Sequence, residues 1–179
     1  MEAQYVVEDR DVLPDDGVAA IYAEHKEWTK RMKRLQASMV GARFLLTFQK
    51  FQWLQSMKLE LSAHAEDDGD GKWNKVISQE IKEITCVDGL LPTKNLAIVD
   101  SGVAKQLVIQ SLWDDESTIY EAFAGEENLV EVCININRDT VAKLLEEMRE
   151  GRAGRGWDAF EKLFPDDAKD LEASNLPTS

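Results

Sequence analysis

The sequence is that of an acidic protein of moderate size. It has 179 residues, a net charge of −13 and an apolar share of 44%, which fits one domain with a sizeable core. It lacks an apolar run that could span a membrane and an apolar leader at the N-terminus, so we expect a cytoplasmic protein with no membrane contact. Residues 21–58 hold eight basic and two acidic residues, a net of +6, and the remainder carries −19. Because so acidic a chain repels DNA, nucleic acid is not an expected partner.

A long helix is predicted over residues 14–41. Apolar or amphipathic residues recur there at alternating steps of three and four: Val18, Ile21, His25, Trp28, Met32, Leu35 and Met39. This spacing places them on one helix face, and Gly41 suits a left-handed C-cap. We expect the face to pack on a sheet, with Trp28 and Leu35 buried. The same spacing permits a homodimeric helix pair, although a monomer is favoured.

Residues 44–63 are predicted to form strands. Apolar residues share one parity, and the other parity is polar over residues 56–62, as in a half-buried strand. A helix that continues to about Leu54 is the alternative. Residues 66–71 are rich in Asp and Gly and predict a turn. The next segment, residues 73–84, fits either a helix or the second strand of a hairpin.

Short apolar runs separated by charged turns predict further strands over residues 96–136, arranged as an antiparallel meander. The last of these strands, residues 129–136, alternates valine and isoleucine with other residues. Two short helices are expected after it, over residues 139–150 and 157–164, because each segment has an apolar stripe at helical spacing.

These elements predict an α+β domain in which a long N-terminal helix packs on an antiparallel sheet and two short helices form the C-terminal end. We assign residues 1–165 to this single domain. Residues 166–179 lack apolar periodicity and are expected to be a disordered tail. Cys86 and Cys133 lie in apolar runs, which is typical of reduced, buried thiols in the cytosol.

No motif in the sequence identifies a catalytic, metal or cofactor site. Glu66, Asp68 and Asp70 resemble the first half of an EF-hand loop, but Ile77 stands where the closing glutamate is needed. The only histidines, His25 and His64, belong to no zinc-binding pair. A solvated turn is therefore the interpretation of the acidic loop, and no metal or cofactor is predicted.

The acidic surface is the candidate binding surface, since carboxylates and aromatic anchors on loops suit a basic protein partner. The residues proposed for it are Glu66, Asp67, Asp68, Asp70, Trp73, Trp113, Asp114, Asp115 and Glu116. We expect a non-enzymatic binding protein, most concretely a small cytosolic inhibitor or immunity-type protein that neutralises a basic toxin or nuclease. One alternative is a dimeric secretion-type chaperone or adaptor. The other is an enzyme whose site is assembled from scattered carboxylates.

Overall fold

The computed structural model contains both helices and strands and describes residues 5–8, 11–14, 16–87, 93–94, 97–98, 100–124, 130–150 and 156–173. The strands are β1 (Tyr5–Glu8), β2 (Asp11–Pro14), β3 (Leu54–Asp67), β4 (Trp73–Cys86), β5 (Thr93–Lys94), β6 (Ala97–Ile98) and β7 (Glu131–Asn137). The α-helices are α1 (Asp16–Lys50), α2 (Ser101–Leu112), α3 (Glu116–Ala124), α4 (Ala142–Arg149), α5 (Gly156–Leu163) and α6 (Pro165–Ala173). Two short 3₁₀ helices span Trp113–Asp115 and Arg138–Val141. The predicted α+β class, with its long N-terminal helix and short C-terminal helices, is confirmed.

The principal sheet has three antiparallel strands in the order β4-β3-β7. Met57, Leu59 and Leu61 of β3 are buried, whereas the intervening residues face the open side of the sheet. The strand predicted from the parity of residues 56–62 is therefore confirmed. Residues 73–84 form the second strand of a hairpin with β3, which decides between the two interpretations of that segment.

The predicted strands are wrong for residues 44–53, because α1 continues through Gly41 to Lys50 and β3 begins only at Leu54. Gly41 does not end the helix. It is buried where α5 crosses α1, and a Cβ atom there would lie 2.6 Å from the backbone nitrogen of Phe160. On α5, a Cβ atom added to Gly156 would clash with the backbone carbonyl of Ser38 on α1. Glycine is needed at this crossing for close backbone approach rather than for a turn.

The face of α1 that packs in the core differs from the one that we predicted. The buried residues of the core face are Ala37, Val40, Gly41, Phe44, Leu45, Thr47 and Phe48. Val18 of the predicted stripe is also buried, at the start of the helix. Trp28 and Leu35 are instead 60% and 53% exposed, so the prediction that they pack on the sheet is wrong. We call the predicted stripe, extended to the next positions of its repeat, the α1 seam: Val18, Ile21, His25, Trp28, Met32, Leu35, Met39, Ala42 and Leu46.

The meander predicted over residues 96–136 is wrong in its middle part, where α2 and α3 stand in place of strands. Ala104, Val108 and Leu112 face the core from α2 at steps of four residues. The end of the prediction is confirmed, since β7 buries Val132 and Ile134. Cys133 lies between them and is exposed, so its predicted burial is wrong.

Helix α6 occupies part of the predicted disordered tail. Ala168 is 2% exposed, and Leu171 is partly buried against the core. The prediction of disorder is thus wrong for residues 166–173, and residues 174–179 lie outside the described part of the chain. The two helices predicted before the tail are confirmed as α4 and α5.

Candidate binding surface

The β3–β4 hairpin extends beyond the core as an arm, which we call the acidic arm, residues 64–75. Every residue in it is exposed. The sequence explains why burial ends there. Leu59 and Leu61 face the helices, but the next positions of the same parity are Ala63 and Ala65, which bury little apolar area.

Two of the predicted site carboxylates shape the turn at the tip of the acidic arm. Asp67 Oδ1 accepts a hydrogen bond from the Gly69 amide at 3.0 Å. Asp68 Oδ1 accepts from the amides of Asp70 at 2.9 Å and Lys72 at 3.2 Å. Gly69 has a positive φ of 86°, which glycine adopts without steric cost. Asp67 and Asp68 therefore have a structural role in the turn, in addition to their charge.

Trp73 is the most exposed aromatic anchor that the sequence suggested. It pairs with Asp67 in the hairpin register and is 70% exposed. It shares the parity of Ile77 and Ile81, so it lies on the helix side of the hairpin but beyond the helices that would cover it. Two residues further along β4, Lys75 holds its ammonium 4.6 Å from the ring centre of Tyr120. The base of the acidic arm is thus joined to α3, whereas the indole of Trp73 projects into solvent.

The second predicted cluster lies at the junction of α2 and α3. Trp113 is 60% exposed there. The Asp115 carboxylate lies 2.5 Å from the Arg43 guanidinium and ties this junction to α1. Partial burial raises the pKa of Glu116, and the nearby charge of Asp114 raises it further. This cluster therefore contains a structural ion pair and a partly desolvated carboxyl, both of which restrict its use as a partner surface.

The structure does not merge the two clusters into one site. The acidic arm is formed by β3 and β4, and the other cluster by the 3₁₀ helix and the start of α3. Of the two, the acidic arm offers the more accessible combination of carboxylates and an indole. Sequence reasoning missed the contact between Lys75 and Tyr120, because residues 73–84 had two interpretations and residue 120 was assigned to a strand.

Among the residues that the structure describes, no three His, Cys, Asp or Glu side chains are placed to hold a metal ion. The described helices also include none that is long and apolar enough to cross a membrane. Comparison with protein-family models, with curated proteins and with solved structures gives no match to this chain.

Proposed function

We propose that this protein is a non-enzymatic inhibitor of the immunity type, which binds a basic protein partner such as a toxin or nuclease through the acidic arm. The observation that supports the proposal most strongly is the exposed Trp73 indole, set among four carboxylates on a projecting hairpin. Tryptophan is enriched among the residues that dominate binding energy at interfaces.

The residues of the acidic arm have different proposed roles in binding. Asp67 and Asp68 fix the turn through their bonds to backbone amides, so the loop needs little further ordering when a partner binds. Glu66 and Asp70 supply carboxylates near Trp73. Their charge attracts a basic surface and speeds encounter, and the indole provides apolar area at the centre of the contact.

The turn geometry determines which residues should be changed in a test. Reversal at Asp68 would remove an acceptor of two backbone amides, and reversal at Asp115 would break its ion pair with Arg43. Loss of binding in such variants could reflect altered folding. Glu66→Lys/Asp70→Lys and Trp73→Ala avoid these contacts and are therefore the informative variants.

The first experiment is a pull-down from the native host with the tagged full chain, at about 50 and about 500 mM salt, followed by titration with the purified partner. We expect a basic protein that is retained at low salt and weakened at high salt, because screening shortens to a few ångströms. Trp73→Ala and Glu66→Lys/Asp70→Lys should each raise the Kd by ~10-fold or more. If the partner is a nuclease, its inhibition should be lost in parallel.

The matched control is Glu146→Lys/Glu161→Lys, which makes the same charge change at exposed positions on α4 and α5. It should bind as the parent chain does. An equal loss in this control would mean that total charge, rather than the acidic arm, governs binding. Unchanged binding in both arm variants would refute the proposal directly.

A further inference from the structure

Most of the α1 seam is an apolar surface that the described fold leaves open, although Val18 is buried within the chain and Ala42 faces Gly156 of α5. Its residues follow a heptad repeat, with Val18, His25, Met32, Met39 and Leu46 at a positions and Ile21, Trp28, Leu35 and Ala42 at d positions. The repeat is sustained from residue 18 to residue 46, the length expected of a coiled-coil segment. Ile21, Met39 and Leu46 are exposed, as are Trp28 and Leu35.

The α1 seam lies on the opposite side of the helix from the core. At about 100° per residue, Ile21, Trp28 and Leu35 lie roughly 140–180° around the helix axis from the mean direction of Val40, Phe44 and Phe48, which the core buries. Val18 lies only about 80° from that direction. The first half of α1 also lies clear of the other elements, since residues 19–28 are all exposed. A helix that is apolar on two opposite sides buries one of them only by association.

We propose that a second copy of this chain covers the α1 seam, so that two α1 helices pair in an antiparallel homodimer. Ile21 and His25 of one copy would lie opposite Met32 and Trp28 of the other, and Leu35 would lie at the level of Val18, which its own chain buries. The two-fold axis generates the same layers a second time. Every a position then meets a d position, as antiparallel knobs-into-holes packing requires.

Charge complementarity selects this register. Glu24 and Arg31 both occupy the g position that flanks the α1 seam, and both are exposed. In the proposed pairing each Glu24 lies beside the second copy's Arg31, which gives two opposite-charge pairs per dimer. A shift by one heptad instead places either two Arg31 side chains or two Glu24 side chains against each other, which is unfavourable.

The antiparallel direction is favoured over the parallel one for two further reasons. A basic stretch lies in the second half of this segment: Lys30, Arg31, Lys33 and Arg34. A parallel pair would place the basic stretches of the two copies side by side, where they repel each other. The C-terminal helices approach α1 from about Glu27 onwards, where Glu27 and Lys30 line a cavity with Leu171 of α6. Antiparallel pairing over residues 21–35 therefore leaves the two bodies at opposite ends of the helix pair.

This inference does not depend on the proposed function. It also replaces the expectation of a monomer, because that expectation depended on packing the stripe on the sheet. Trp28 and Leu35 are exposed, so the sheet does not cover them.

The oligomeric state of the full chain tests the inference. Sedimentation equilibrium between about 1 and about 100 μM should give twice the monomer mass of 20.3 kDa. Trp28→Glu/Leu35→Glu places charges in the α1 seam and should raise the dimer Kd by ~100-fold. The matched control, Val103→Glu/Trp113→Glu, makes similar changes at exposed apolar residues elsewhere and should remain dimeric. Near-ultraviolet circular dichroism should show that the body of each variant is folded.

A charge swap tests the register. Glu24→Arg and Arg31→Glu should each raise the dimer Kd by ~10-fold, and the double swap should restore most of that loss because it rebuilds both ion pairs in reverse. A monomeric parent chain at ~100 μM would overturn the proposal. So would a dimer that survives Trp28→Glu/Leu35→Glu, or a double swap without rescue, which would exclude the antiparallel register.

Discussion

Arg138 connects the 3₁₀ helix after β7 to the end of α1 and the start of β3. Its Nε donates to the Leu54 carbonyl at 2.6 Å, and Nη2 donates to the carbonyls of Phe48 and Phe51 at 2.5 and 2.8 Å. The carbonyls at the end of a helix have no partner within it, so this guanidinium satisfies the end of α1 and the start of β3. Burial lowers the pKa of Arg138, as expected for a partly desolvated cation.

Arg138→Leu should lower the free energy of unfolding by about 3 kcal/mol, because it removes three charge-assisted hydrogen bonds to backbone carbonyls. Chemical denaturation would measure the change. Arg149→Leu is the control, since Arg149 is exposed on α4, and it should cost less than about 0.5 kcal/mol. A loss below about 1 kcal/mol for Arg138→Leu would show that water replaces the guanidinium at little cost.

Glu116 gives the protein a pH-dependent component of stability. Its pKa is raised in the fold, first by partial burial and then by Asp114. The folded state therefore holds the proton more tightly than the unfolded chain does. The resulting stabilisation is present below the unfolded pKa of ~4.3 and is lost as the pH rises through the folded pKa.

Glu116→Gln should accordingly raise the Tm at about pH 7, and the gain should vanish at about pH 3, where the carboxyl is protonated in both states. Melting curves across this range would measure it. Glu161→Gln, at an exposed position of α5, controls for the general loss of one negative charge. An equal gain in both variants, or a gain that persists at low pH, would contradict the assignment to Glu116.

At the scale of elements, α6 shows that a polar segment can still belong to the core. Helix α6 begins at Pro165, a residue suited to a first helical turn. It buries Ala168 and partly buries Leu171. Ala168 and Leu171 are two isolated apolar positions in an otherwise polar stretch, so the segment lacks the wide stripe from which sequence reasoning recognises an amphipathic helix.

Ala168→Asp should therefore lower the free energy of unfolding by about 2–3 kcal/mol, since it buries a charge without a partner. Ala20→Asp places the same side chain at an exposed position of α1 and should be nearly neutral. Denaturant titration of both variants provides the comparison. If Ala168→Asp were as neutral as Ala20→Asp, α6 would not contribute to the stable fold.

The sequence predicts an element correctly where its local pattern has a single interpretation. The alternation in β3 and β7 matches strands alone, and both were found. In α2, Leu107 and Ile109 suggested the alternation of a strand. The helical pattern of buried residues is harder to recognise in the sequence, because it includes Ala104, whose small side chain gives a weak apolar signal. In α1 two apolar faces compete, and the more regular one is exposed. Gly41 likewise fits both a helix end and a close crossing, and only tertiary structure distinguishes them.

At the scale of the whole molecule, the candidate site was partly predictable. Composition located the acidic loop, and the Asp and Gly residues of the turn predicted its conformation. The sequence did not indicate that the hairpin would extend beyond the helices, because that depends on where the core ends. Nor did it show that Asp115 would pair with Arg43, a contact between residues far apart in the chain.

The crossing of α1 and α5 also constrains how the chain folds during synthesis. Gly41 and Gly156 are 115 positions apart, and Arg138 bonds a carbonyl 90 positions upstream. At about 5–20 residues per second, roughly 6–23 s separate the synthesis of the two crossing segments. During that interval α1 lacks α5 and exposes both apolar faces. We therefore expect chaperones to bind this part of the nascent chain until α5 is made, because transiently exposed apolar surface is prone to aggregation.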